Sequence, residues 1–119
     1  MSTALIILAY AQAGYFVVTG VWPLVHMRSF MAVTGPKMDR WLVRTVGVLV
    51  TVIGGVIAMG AYRRDLDPQV FTLAVASAAG LAAVDVTYVA KRVLEKIYLL
   101  DAAAEVAIVL AWLVLWRPS

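Results

Sequence analysis

The sequence predicts an all-α, polytopic membrane protein. Four transmembrane helices form an up-down-up-down bundle, with a short interfacial helix in the first loop. Three observations carry this reading. First, 64% of the 119 residues are hydrophobic and only 14% are charged, with a mean hydropathy of +0.93. A soluble domain averages about 45–50% apolar and about 25% charged residues. A chain this short cannot bury the excess in its own core, so the surplus must face lipid. Second, the apolar residues fall into four runs, over residues 4–22, 41–62, 68–90 and 97–116. A spanning helix needs about 20 such residues. Third, no run alternates as a half-buried strand would. By these bounds the connections are 18, 5 and 6 residues long, and the two short ones suit antiparallel neighbours in a bundle. The whole chain, 1–119, is expected to form one transmembrane domain.

Each element has its own chemistry. The first run carries no charge. Residues 1–13 have a short apolar stretch and small residues but no basic leader, and the stretch continues to Trp22. It reads as a retained helix rather than a cleaved signal. Pro23 is expected to end that helix or to sit in the first turn of a new segment. In the loop that follows, Leu24, Met27, Phe30 and Met31 recur at helical spacing with His26 and Arg28 between them, the pattern of a short helix lying in the interface. Thr34-Gly35-Pro36-Lys37 reads as a turn, and Asp39 as a cap for the second span. Asp67 before Pro68 reads as an N-cap with proline at the first helical position, opening the third span. Arg117 and Pro118 stop the fourth. Trp22, Trp41, Tyr62, Tyr88, Tyr98 and Trp116 stand near the expected ends, where amphipathic rings prefer the headgroup level.

Orientation follows from the basic residues. The first and third loops with their flanks hold Arg28, Lys37, Arg40, Arg44, Lys91, Arg92 and Lys96, seven of the ten; Arg63, Arg64 and Arg117 lie on the other side. The positive-inside rule puts loops one and three in the cytoplasm and both termini outside. The expected location is a bacterial inner membrane. Small residues supply packing faces: Gly47, Gly54, Gly55 and Ala58 on the second span, and Ala76 with Gly80 and Ala79 with Ala83 on the third.

The carboxylates inside the spans are the strongest functional signal. Charge at the bilayer centre costs about 2.5–3.5 kcal/mol on insertion scales, so such residues need partners or water. At 1.5 Å rise per residue, Asp85 lies about 7 Å from the inner end of the third span, and Asp101 and Glu105 about 6 and 12 Å into the fourth. Asp101 and Glu105 are four apart and share a face with Tyr98. Ser77, Asp85, Tyr88 and Arg92 fall roughly on one face of the third span. Gln12, Tyr15 and Thr19 form a weaker stripe on the first. Polar stripes in a lipid-bound bundle should point inward, since hydrocarbon cannot satisfy them. The expected site is therefore a polar interior in the cytoplasmic half, lined by Thr19, Arg44, Asp85, Tyr88, Tyr98, Asp101 and Glu105, with His26, Arg28 and Arg40 at its mouth under loop one. Glu105, the deepest acid, is the candidate for titration. A competing reading is structural: Arg44 pairs with Asp85 or Glu105 and locks the bundle, as arginine does with carboxylates.

Other chemistries find little support. There is no cysteine, which excludes disulfides, thiolate metal sites and cysteine nucleophiles. One histidine beside Asp39 makes no metal motif. No Gly-rich phosphate loop, nucleophile elbow or HExxH is present. No cofactor, metal or catalytic residue is expected.

The stretch WPLVHMRSFMAVTGPKMDRWLVRTVG and the later VDVTYVAKRVLEKIYLLDAAAE resemble small, uncharacterised bacterial four-helix integral membrane proteins. The resemblance implies the four-helix fold and no activity. Size and helix count are also similar to those of small multidrug resistance transporters, which carry an essential glutamate midway along helix one. Here that helix offers only Gln12, so that function is not carried over.

Three functions compete. The first is binding or transport of a small polar or anionic ligand, or of protons, through the charged site, with Arg44 holding ligand charge and loop one as gate. The second is a non-enzymatic accessory subunit of a larger membrane complex. The third is a lipid-modifying enzyme using His26 with an acid, for which no spacing speaks. The expected partners are the lipid bilayer and either a second copy of the chain or a larger membrane complex, and no nucleic acid.

Overall fold

In the computed structural model, residues 3–35, 40–92 and 95–116 are described, and they form five helices: α1 (Thr3–Val25), α2 (Met27–Thr34), α3 (Arg40–Tyr62), α4 (Pro68–Ala90) and α5 (Tyr98–Leu115). The four apolar runs become α1, α3, α4 and α5, and each is long and apolar enough to cross a membrane. The expected turn through Pro36 and Lys37, the Asp39 cap and the stop at Arg117 and Pro118 lie wholly or partly outside the described residues.

The buried residues of α1 form one stripe: Leu5, Ile6, Ala9, Gln12, Ala13, Phe16, Gly20 and Pro23. That is helical spacing carried over about five turns. Pro23 neither ends the helix nor opens a new segment, the two outcomes the sequence suggests. It lies inside α1 and is buried. Proline is tolerated within membrane helices where neighbouring groups compensate the lost backbone bond, and here its ring lies over Gly47 of α3.

Helix α1 packs chiefly on α3, and α4 on α5. The first pair meets backbone to backbone. A Cβ placed on Gly20 would stand 2.5 Å from Thr51 Oγ1 and 2.7 Å from the Gly47 carbonyl oxygen, and one on Gly54 would stand 3.0 Å from Phe16 Cβ. Glycine at the crossing is what lets the two backbones approach. Gly55 faces open space instead. On α4 the expected small-residue faces point outward. Ala76, Ala79, Gly80 and Ala83 are exposed, and the buried line is Ala74, Ala78, Ala82 and Asp85. Small residues cover several faces of this helix, so their presence alone does not choose one.

Asp67 caps α4 as expected: its side chain accepts from the Val70 N–H at 2.9 Å, ahead of Pro68 in the first turn. Helix α2 follows α1 after a single residue. Trp22 Nε1–H donates to Ser29 Oγ at 2.8 Å, and the Trp22 and Phe30 rings meet edge to face at 5.4 Å. The other end of α2 reaches the start of α5, where Thr34 shares a hydrogen bond with Tyr98 and Gly35 lies against the Glu95 side chain. Away from α2, the core is apolar: Leu5, Ile6, Ala9, Ala13, Ile57, Ala61, Leu66, Ala74 and Trp112. Phe71 stacks on Trp116 at 4.5 Å and meets Trp112 edge to face at 6.0 Å.

Candidate functional site: a buried acidic cluster

The three acids of the spans converge. Asp85 ends the buried line of α4. Asp101 and Glu105, one turn apart on α5, face it. Glu105 is 1% exposed and Asp85 5%. The Asp85 and Asp101 carboxyls lie within hydrogen-bonding reach of one another, and Glu105 is near enough for its charge to act on both. From α1, the Tyr15 hydroxyl donates to Asp101 Oδ1. Asp85 Oδ2 and Glu105 Oε2 are buried with no hydrogen-bond partner.

Among the described residues no base compensates them. None of the three acids makes an ion pair among the described residues. Arg44, expected to line the site, is exposed. The packed stretch of α3 begins at Gly47, about one turn later. With Arg44 exposed, the structural reading of an Arg44–carboxylate lock falls. Among the described residues the cluster presents carboxyls and the Tyr15 phenol. Two carboxylates can only accept hydrogen bonds, so carboxyls this close need a proton between them or a cation among them. Among the described residues no group of three or more acids, histidines or cysteines has the arrangement to hold a metal ion.

The other expected residues divide. Tyr98 borders the cluster, half-buried, and is held by Thr34. Tyr88 is exposed, with Lys91 Nζ 5.7 Å from its ring centroid. It sits three residues past Asp85, beyond the last buried turn of α4. Thr19 is half-buried and donates its hydroxyl to the Tyr15 carbonyl at 2.8 Å. His26, Arg28 and Arg40 are exposed. His26 has a local role: its Nδ1 accepts from the Ser29 N–H at 3.1 Å and caps α2.

Two participants were not read from the sequence as such. Tyr15 was placed on a polar stripe, but not on Asp101. Trp112 was not singled out at all. Its spacing held a signal, since it lies seven residues beyond Glu105 on the same face of α5. Trp112 Nε1–H donates to Gln12 Oε1 at 2.7 Å, and Gln12 Nε2–H donates to the Ala74 carbonyl at 2.9 Å. Both side chains are 0% exposed.

The fold and site define a class: an all-helical chain of multi-pass membrane character with an acidic cluster among its helices. No protein family, curated protein or solved structure matches the chain.

Proposed function

We propose that this chain is a small multi-pass integral membrane protein that binds protons reversibly at Asp85, Asp101 and Glu105 and hands them on, in transport or in coupling to a second solute. Its four spans run up-down-up-down, with α2 lying in the interface. The end bearing α2 faces the cytoplasm of a bacterial inner membrane, which the excess of basic residues on that side favours. The observation that carries the reading is the pair of buried, unpartnered oxygens, Asp85 Oδ2 and Glu105 Oε2, in a cluster without a basic neighbour among the described residues. Ionisable groups at membrane depth are expensive and mark proton relays and ion paths.

The test is infrared difference spectroscopy of the protein in lipid nanodiscs between acidic and alkaline buffer. A protonated-carboxyl band should grow on acidification, shrink in Glu105→Gln and shrink again in Asp85→Asn. A wild-type spectrum with no such band, or one untouched by both substitutions, sinks the proposal.

A second reading, an accessory subunit of a larger membrane complex or a homodimer, is favoured by the exposed small residues of α4. A Cβ on Gly80, or on Gly55 of α3, meets nothing within 4 Å, so another helix could approach closely there. Native mass spectrometry of gently solubilised protein separates the two readings: a stoichiometric partner protein supports the second.

A further inference from the structure

On one side of the acidic cluster lies a buried layer that is apolar except for one side-chain amide and one indole N–H. From Glu105 the buried face of α5 runs on for about 10 Å of helix rise to Trp112. There the carboxamide of Gln12 stands between the Trp112 indole N–H and the Ala74 carbonyl, joining α5, α1 and α4. Neither Gln12 nor Trp112 is accessible. Around and beyond them lie Leu5, Ile6, Ala9, Ile57, Ala61 and Leu66, all buried and apolar. At the other end Asp101 is only half-buried. A leucine at position 12 would fill an apolar layer without needing partners. A carboxamide that must find both a donor and an acceptor is costly there unless all three helices stay in register.

We propose that Gln12, clamped between Trp112 and the Ala74 carbonyl, is the seal that separates the acidic cluster from the far side of the membrane. The inference rests on the proton-site reading above. The cluster then exchanges protons from the Asp101 side only, and passage across the whole membrane requires the two Gln12 hydrogen bonds to break. The uncoupled leak that an open polar column would create is thereby suppressed.

The experiment uses the full chain in liposomes enclosing a pH-sensitive dye, with the membrane potential clamped, after an external acid jump. Four proteins are compared: wild type, Gln12→Ala, Trp112→Phe, and Gln12→Ala combined with Glu105→Gln. Helix content and monodispersity confirm that each is folded. Wild type should acidify the lumen little faster than protein-free liposomes. Gln12→Ala should be several-fold faster, Trp112→Phe intermediate, and the double variant should fall back to the wild-type rate. Trp112→Phe keeps the question open to refutation should Gln12→Ala not fold. Folded single variants as tight as wild type overturn the seal and leave the proton site standing, because the carboxyl infrared band reports on that site independently. A double variant that leaks as fast as Gln12→Ala also overturns it, since the path released would not run through the acids. Loss of the carboxyl band itself would instead remove the underlying site.

Discussion

Trp112 and Gln12, 100 positions apart in the chain, share a 2.7 Å hydrogen bond in which the indole N–H donates to the carboxamide oxygen. Gln12 passes the connection to α4 through its own N–H. One side chain therefore reports on the packing of three helices. Replacing Trp112 with Phe leaves Gln12 Oε1 buried without a donor. The expected loss is about 1–3 kcal/mol, the penalty for an unsatisfied buried polar group, read from denaturant titration in mixed micelles. Unchanged stability would mean that the pair contributes nothing.

At the α1–α3 crossing, Gly20→Ala should destabilise by about 1–3 kcal/mol, as overpacking does. The new Cβ would meet backbone, the Gly47 carbonyl at 2.7 Å, and backbone cannot swing aside. Gly80→Ala, where nothing lies within 4 Å, is the matched control and should hold the wild-type melting temperature. Equal melting temperatures for all three proteins would refute this crossing.

The acids make an inverted prediction. Removing one partner of a buried ion pair costs about 3–5 kcal/mol. No ion pair exists here among the described residues, so Asp85→Asn and Glu105→Gln should leave stability unchanged or raise it. Each amide brings an N–H donor to a cluster of acceptors. A large loss on either substitution would show that the carboxylate was paired after all.

Tyr15→Phe removes the one described donor to Asp101. A typical hydrogen bond contributes about 0.5–1.5 kcal/mol net, and stability should fall by about that amount. The carboxyl infrared bands should move with it. A spectrum identical to wild type would place the tyrosine outside the cluster.

His26→Ala should fray α2 by about 0.5–2 kcal/mol, the usual loss of an N-cap. Hydrogen exchange at the Ser29 amide, which His26 Nδ1 accepts from, should speed up. His26→Asn should restore most of the protection, because asparagine is a good cap. Equal exchange in all three proteins would remove the capping role.

Much of the architecture was legible in the residues because membrane helices are written in composition. A run of some 20 apolar residues has few alternatives in lipid, and Asp67 before Pro68 marks a helix start by local chemistry alone. The convergence of Asp85, Asp101 and Glu105 was legible too, because helical spacing put them on inward faces at similar depth. Arg44, Tyr88 and the small residues of α4 were not. Arg44 and Tyr88 sit near helix ends, where a side chain can turn outward without leaving water. On α4 the alanines at 74, 78 and 82 and the small residues at 76, 79, 80 and 83 are equally suited to close packing, so periodicity could not separate the buried set from the exposed one.

By itself the sequence determined the four long apolar helices, the cap that opens α4 and the helical positions of the acids, all of which depend on local composition and the helical repeat. The tertiary structure alone decided that the acids meet without a base among the described residues, that Tyr15 donates to Asp101, and that Gln12 bonds Trp112 and the Ala74 carbonyl. Those contacts join residues tens of positions apart. They depend on how far each helix is rotated, and that is set by where glycines such as Gly20, Gly47 and Gly54 let the backbones come together.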